Sequence, residues 1–437
     1  MTTFFAIFEC NQNTTYNQIL KRNLLFLSQR AYRIRNRVMN ILTTLFLLLG
    51  FQSAQGQTIT LQEYLKKAAA QNIELKIDQS RSDSINARAI GLAIPPPMLG
   101  LIQMKEQQGT SANGFEINQS IPFPTKLAGD HSARKYEALS QEENRLSSKK
   151  QTLLRAKLLY ISLWQDQART ELLEQKRSFL QDHIKLSRST VRSDSFAATH
   201  LLKAESDFDF LENDIESSKQ SIREKQIQIA IFISADPSHF KAIAIEPEIS
   251  PLPNLTSLEE SHQFRSLNLN LESLKARESE AKSSWLPDFN FRYKEVGATS
   301  MSTRYNELMV GITLPFLFFW EPNSTSKQAH TARLIGEYDL EKQRLSFNAI
   351  KMTLLSRGES LKKQIETLNA KLIPRAEKRM RLVHNLAPRD LETLQDHRET
   401  MEAYPDLKLK ALDLRIQYEE AVAELEKFTP DKDLQNE

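Results

Sequence analysis

The residues able to do chemistry are dispersed rather than clustered. The eight histidines are scattered along the chain, and there is no glycine-rich phosphate loop, nucleophile elbow or HExxH pair. With acids, bases and nucleophiles apart, an enzyme is not expected. His131 and His330 each open a similar run, His-Ser-Ala-Arg and His-Thr-Ala-Arg, but they lack ligand spacing and read as solvated residues near helix starts; no metal site and no cofactor is expected. The more telling pattern is alternation. Phe289, Phe291 and Tyr293 point one way along a strand and Asp288, Asn290, Arg292 and Lys294 the other. From Glu307 onward, Leu308, Val310 and Ile312 alternate in the same way. A strand with one apolar and one charged face suits a wall between lipid and a water-filled lumen, so Asp288, Asn290, Arg292, Lys294 and Glu307 are expected to line the interior.

Charge and composition narrow the partners. Lys+Arg number 58 against 55 Asp+Glu, a net +3, and no mature segment interleaves basic and aromatic residues as a nucleic-acid surface does, so no nucleic acid is expected. The only cysteine, Cys10, precedes an apolar run from Val38 to Phe51 that has basic residues before it and Ala54 and Gly56 after it. That run is well short of the ~20 residues a spanning helix needs and reads as a secretory signal peptide, residues 1–56, with a long n-region; translation from Met39 in place of Met1 is the alternative. The mature protein then has no thiol.

The elements that must carry the alternating strands are long helices. No glycine occurs from 130 to 296 and no proline from 125 to 236, which removes the usual punctuation. Leu139, Leu146, Leu153 and Tyr160 recur every seventh residue, as do Leu201, Phe208, Ile215, Ile222 and Ile229, then Leu354, Leu361 and Leu368, and Leu407, Leu414 and Ala421. These are coiled-coil seams. Glycines and prolines gather near 91–129 and 287–322, where two hairpins are predicted, Met98–Glu106 with Gly114–Ile121, and a second joined by Gly297–Arg304. The halves resemble one another: Ile121-Pro122-Phe123-Pro124 matches Leu314-Pro315-Phe316-Leu317, and Thr60-Leu61-Gln62-Glu63 matches Ser257-Leu258-Glu259-Glu260, each a hydroxyl cap with an acid three residues on. We therefore expect a first repeat with linker over 57–256, a second over 257–428 and a short tail, 429–437.

Four strands cannot close a barrel, and open edges do not persist in lipid. The smallest closed barrels use ~8 strands, so several copies must share one. The expected fold is mainly α with a small β part: long antiparallel coiled-coil helices projecting into the periplasm, and two β-hairpins contributing to a transmembrane β-barrel shared between copies.

Over 57 to about 428 the chain resembles the TolC-like outer-membrane efflux proteins. The resemblance lies in Ile59-Thr60-Leu61-Gln62-Glu63-Tyr64-Leu65, Ala93-Ile94-Pro95-Pro96-Pro97, Gln119-Ser120-Ile121-Pro122-Phe123, Leu286-Pro287-Asp288-Phe289, Gly311-Ile312-Thr313-Leu314-Pro315 and Leu372-Ile373-Pro374-Arg375-Ala376. The run His131-Ser132-Ala133-Arg134-Lys135 looks most like the heavy-metal branch. The resemblance implies a homotrimer in outer-membrane lipid, its two β-hairpins per copy contributing to a shared trimeric transmembrane β-barrel and its long antiparallel coiled-coil helices forming a periplasmic α-barrel. It also implies coupling to a periplasmic adaptor (membrane fusion) protein and an inner-membrane transporter of the RND type, as the passive exit duct for small toxic solutes or metal ions. It further implies a periplasmic gate near the start of the last long helix, with Asp396 and Asp390 as candidates and Thr393 where a first acid would stand. Two departures bear on that gate: the tip turns Val191–Asp194 and Leu386–Arg389 lack glycine, and Pro405 falls inside the last helix, where it should kink it. Alternatives are the exit duct of a type I protein secretion system and a periplasmic structural coiled-coil protein.

Overall fold

The structure is a computed structural model that describes residues 57–105, 111–190, 195–254, 258–298, 303–384 and 391–429. The signal-peptide segment, both tip turns, Asp390 and the tail beyond 429 lie outside the described residues. In order the elements are β1 (Gln57–Ile59), α1 (Leu61–Gln71), α2 (Ile73–Ala89), β2 (Met98–Lys105), β3 (Ser111–Ile121), α3 (Pro124–Thr190), α4 (Ser195–Phe232), β4 (Ala242–Ala244), α5 (His262–Lys282), β5 (Phe289–Val296), β6 (Tyr305–Ile312), α6 (Trp320–Thr367), α7 (Ile373–His384) and α8 (Leu391–Glu426). Residues 58–437 form one compact unit, so the halves expected on either side of 256 pack as a single body.

The helices follow from their residues. Thr60 caps α1 as expected, its hydroxyl accepting from Glu63 N at 3.3 Å while the Glu63 carboxylate accepts from Thr60 N. Asn72 ends α1 and starts α2: its side chain accepts from Leu75 N and donates to the Phe232 carbonyl. The matching cap at Ser257 lies outside the described residues, and α5 begins later, after Ser261, with no side-chain cap bond. Proline is well placed at the start of α3, where a missing N–H costs no helix bond, and its 67 residues span roughly 100 Å at 1.5 Å each. No helix among the described residues is long and apolar enough to cross a membrane.

Packing corrects only the top of the first seam. Leu139 is 44% exposed, and α5 is faced there by the buried Ala133 and Ser140 instead, whereas farther along Leu153 and Tyr160 pack in one core cluster. Ser140 Oγ donates to the Ser266 carbonyl at 2.9 Å, and Ser273 Oγ to that of Ala133. Small residues let the backbones approach: a Cβ at Gly129 would lie 2.9 Å from that of Glu280. Farther down, the seams are apolar, with Leu173, Leu180, Ala204, Leu211 and Ile215 between α3 and α4, and Leu361, Ile365, Tyr418 and Val422 between α6 and α8. A small two-stranded sheet, β1 with β4, clips onto α3; Tyr160 donates its hydroxyl to the Ile59 carbonyl at 2.7 Å and accepts from Ile245 N.

Pro405 does not break α8, which continues helical on both sides with the ring buried. Pro374 has the larger local effect. Its ring would crowd the carbonyl of Ala370, and there the helix widens into a π-turn, Leu368–Leu372, that separates α6 from α7.

The four long strands form one antiparallel sheet in the order β2-β3-β5-β6. β6 begins two residues earlier than its alternation suggested.

Candidate functional site

The sheet register sorts the side chains into two faces. Phe289 stands opposite Ile312 and Ile121, Phe291 opposite Val310 and Gln119, and Tyr293 opposite Leu308 and Ile117, with Leu99 completing the last row. Period-two alternation puts all of these on one side. Leu308, Val310, Ile312 and Phe291 are exposed, with none of the described residues covering them. Towards the loop the band ends in polar groups, where Glu295 accepts from the Tyr293 hydroxyl and pairs with Arg304; in the middle row Gln119 donates to the Pro95 carbonyl at 2.7 Å.

On the opposite face Asn290 stands beside Ser120, Arg292 beside Asn118, and Lys294 between Glu116 and Glu307. The Arg292 guanidinium lies 3.9 Å from the Glu116 carboxylate. Thus β3 adds Glu116, Asn118 and Ser120 to the polar row, a contribution already present in the alternation of 115–121. A close approach joins the two hairpins: a Cβ at Gly114 would fall 2.1 Å from the Glu295 carbonyl oxygen, so only glycine fits where β3 meets β5.

Asp288 stands apart from this row. It lies one residue ahead of β5, and its carboxylate accepts from Phe123 N at 2.9 Å and from Lys126 Nζ at 2.8 Å. Its own N–H donates to Thr313 Oγ1. The side chain ties the start of α3 to the base of β5 and the end of β6, a positioning role. Asp288→Ala is expected to leave Lys126 and Phe123 N without their acceptor, costing about 1–3 kcal/mol. The effect should appear as a lowered thermal midpoint with the helical content kept; an unchanged midpoint would mean the clamp carries no load.

Below the sheet, sequence reasoning missed an exposed aromatic run, Phe316 to Trp320. The Trp320 ring sits edge-on to Phe318 and Phe319, at 5.5 and 5.4 Å. The signal was available in Phe-Leu-Phe-Phe-Trp, directly after a strand. His131 and His330 make different contacts, with the Gly91 carbonyl and the Glu278 carboxylate respectively. Glu278 is held far below the usual carboxylate range, to about 2, first by its hydrogen bond with His330 and then by Lys282. Among the described residues no three His, Cys, Asp or Glu side chains converge as metal ligands.

At the far end Asp396 is exposed in the second turn of α8. Close by, Arg398 bridges to Asp207 of α4 at 2.6 Å and to Glu402 at 3.0 Å. His183 of α3 is 5% exposed, with Nε2 3.4 Å from Ser187 Oγ and, among the described residues, no partner for Nδ1. Burial pushes its pKa down to about 4, and the nearby charges of Arg398, His397 and His200 push the same way. Sequence reading passed over it, although it lies on the same stripe as Leu173, Leu180 and Ser187.

No protein-family model matches the chain and no curated protein does. Solved structures do match. CusC, crystallised in work on folding and transmembrane channel formation, superposes with a TM-score of 0.69 at 11% identity, covering 85% of this chain and 92% of its own. The CmeC outer membrane channel of Campylobacter jejuni gives 0.69 at 12% identity over 84% and 85%. The open state of the MtrE outer membrane channel of Neisseria gonorrhoeae gives 0.63 at 14% over 84% and 88%. The chain has the fold of these channels along nearly their whole length.

Proposed function

We propose that this chain is the protomer of a TolC-like outer-membrane channel, a homotrimer whose hairpins close one β-barrel and whose helices form a periplasmic tunnel. It acts as the passive exit duct of a tripartite efflux pump for small toxic solutes or metal ions, joined to a periplasmic adaptor and an RND-type transporter. The observation that carries the reading is the sheet itself: four strands, in the order β2-β3-β5-β6, with one bare apolar face and two outer edges. Lipid tolerates such strands only in a closed barrel, and four are too few to close one. The strands run directly into helices far longer than a ~30 Å hydrocarbon core, and the fold shared with outer-membrane channels supports the same arrangement. In it, Phe289, Phe291, Tyr293, Leu308, Val310 and Ile312 face lipid. Asn290, Arg292, Lys294, Glu307 and Glu116 face the lumen, and Phe316–Trp320 sit at the lipid–water boundary where amphipathic rings collect.

Membrane fractionation, size measurement in detergent and conductance in planar bilayers test this together. The protein should require detergent, run as a trimer and conduct. A water-soluble monomer would instead support the structural coiled-coil reading. In the trimer three Asp396 carboxylates near one axis would favour cations. Asp396→Asn should then remove most of the block by divalent cations added from the helical side, and unchanged block would place Asp396 on the outer surface.

A further inference from the structure

The order of the helices around the sheet repeats that of the strands. α2 leads into β2, α3 leaves β3, α5 leads toward β5 and α6 leaves β6, while α3 packs on α2 and α5, and α5 on α6. The layer therefore runs α2-α3-α5-α6 above β2-β3-β5-β6, and α2 and α6 are its two edges.

Each edge helix carries a seam that no other described residue covers. On α6, Ile335, Tyr338, Leu345 and Met352 follow alternating steps of three and four or their sum. Tyr338, Leu345 and Met352 are 67%, 67% and 75% exposed. On α2, Asp78 and Ser82 bond to Ser148 and Glu142 of α3, and the opposite stripe, Ile73, Ile77, Ser80, Ser84 and Ala87, is exposed. That stripe has the same four-three spacing. One seam is bulky and the other is small in its upper half, as knobs and holes require.

Their heights also agree. Arg134 bonds to the Arg88 carbonyl, Ser273 to that of Ala133, and Gly336 lies against Leu271 and Leu274, so Arg88 and Gly336 stand at about the same level. α2 ascends toward the sheet and α6 descends from it, so residue numbers at one level add to a nearly constant sum. Tyr338 then falls level with Ala87, Leu345 with Ser80 and Met352 with Ile73.

We propose that the exposed seam of α6 in one copy packs into the α2 seam of the next, Tyr338 over Ala87, Leu345 over Ser80 and Met352 beside Ile73, so that this head-to-tail contact closes the ring of helices below the barrel. The inference rests on the channel reading and specifies its subunit contact. A head-to-tail interface closes only when its two faces are complementary and lie on opposite edges, the arrangement these seams have. The sheet edges β6 and β2 meet in the same sense.

Disulfide trapping tests the register, since two cysteines whose Cα atoms lie more than ~7 Å apart do not bridge. In full-length protein carrying Cys10→Ser, the pair Leu345→Cys with Ser80→Cys should give covalent dimers and trimers on mild oxidation. The pair Leu345→Cys with Arg81→Cys, turned about 100° round α2, and each single variant should not. All substitutions are at exposed positions, so folding is not at stake. A second measurement, Tyr338→Glu with Leu345→Glu, should shift the detergent-solubilised species from trimer to monomer with far-ultraviolet helicity retained. An oligomer that shows neither the cross-link nor the shift overturns the seam but leaves the channel reading standing. A wild-type protein that is monomeric without detergent overturns the channel reading itself. Cross-linking of Leu345→Cys to a different protein would assign the seam to an adaptor and overturn the proposal.

Discussion

Replacing Phe291 with Arg is expected to cost about 2–4 kcal/mol per protomer in membrane assembly, the depth-dependent cost of a lipid-facing Arg near the bilayer midplane. Phe291 lies in the middle of its row, between Val310 and Gln119 and flanked on its own strand by Phe289 and Tyr293, so an Arg there has no neighbouring acid and no short route to water. Arg292→Gln, one residue on and on the opposite face, removes only a 3.9 Å contact with Glu116 and should leave trimer yield in the outer-membrane fraction unchanged. Val310→Arg, across the strand pair, should repeat the Phe291→Arg loss. The measurement is the heat-sensitive trimer recovered from membranes for each variant. If Phe291→Arg and Arg292→Gln behave alike, the two faces have been assigned the wrong way round.

Alternation made those faces legible, because period two leaves little freedom once one side of a strand is apolar. The long helices were legible for a similar reason: with no proline after Pro124 and no glycine after Gly129 there was nothing to end α3 before its tip. What escaped was set by partners distant in sequence. The small residues Ala133 and Ser140 are invisible to a search for large apolar residues, yet they let α3 approach α5; Leu139, which fits the heptad, is exposed. Asp288 fits the alternation of β5 but is claimed by Phe123 and Lys126, more than 160 residues earlier in the chain. Alternation records which side of a strand a residue occupies. It cannot record that a strand has not yet begun.

Mild acid is expected to loosen the packing of α8 against α3 and α4 near the helical tip. His183 has a pKa held to about 4 in the packed state, against 6.5 when free, so it is neutral there at neutral pH. A base whose pKa falls on packing binds its proton better in the opened state. The packed state is therefore penalised progressively as pH drops below 6.5, with the full effect reached near 4, and nothing changes above 6.5. The window of about 2.5 units corresponds to roughly 3 kcal/mol at most. Around His183, the charges of Arg398, His397 and His200 all disfavour its protonation in the packed state, while Asp207 and Glu402 already hold Arg398. Hydrogen exchange of amides 180–187 and 398–402, compared at pH 7 and pH 5 after correction for intrinsic rates, should show protection lost at the lower pH in the wild type. His183→Gln keeps a neutral polar side chain at both values and should abolish most of that difference, whereas an undiminished loss in the variant would show that His183 does not carry the acid response.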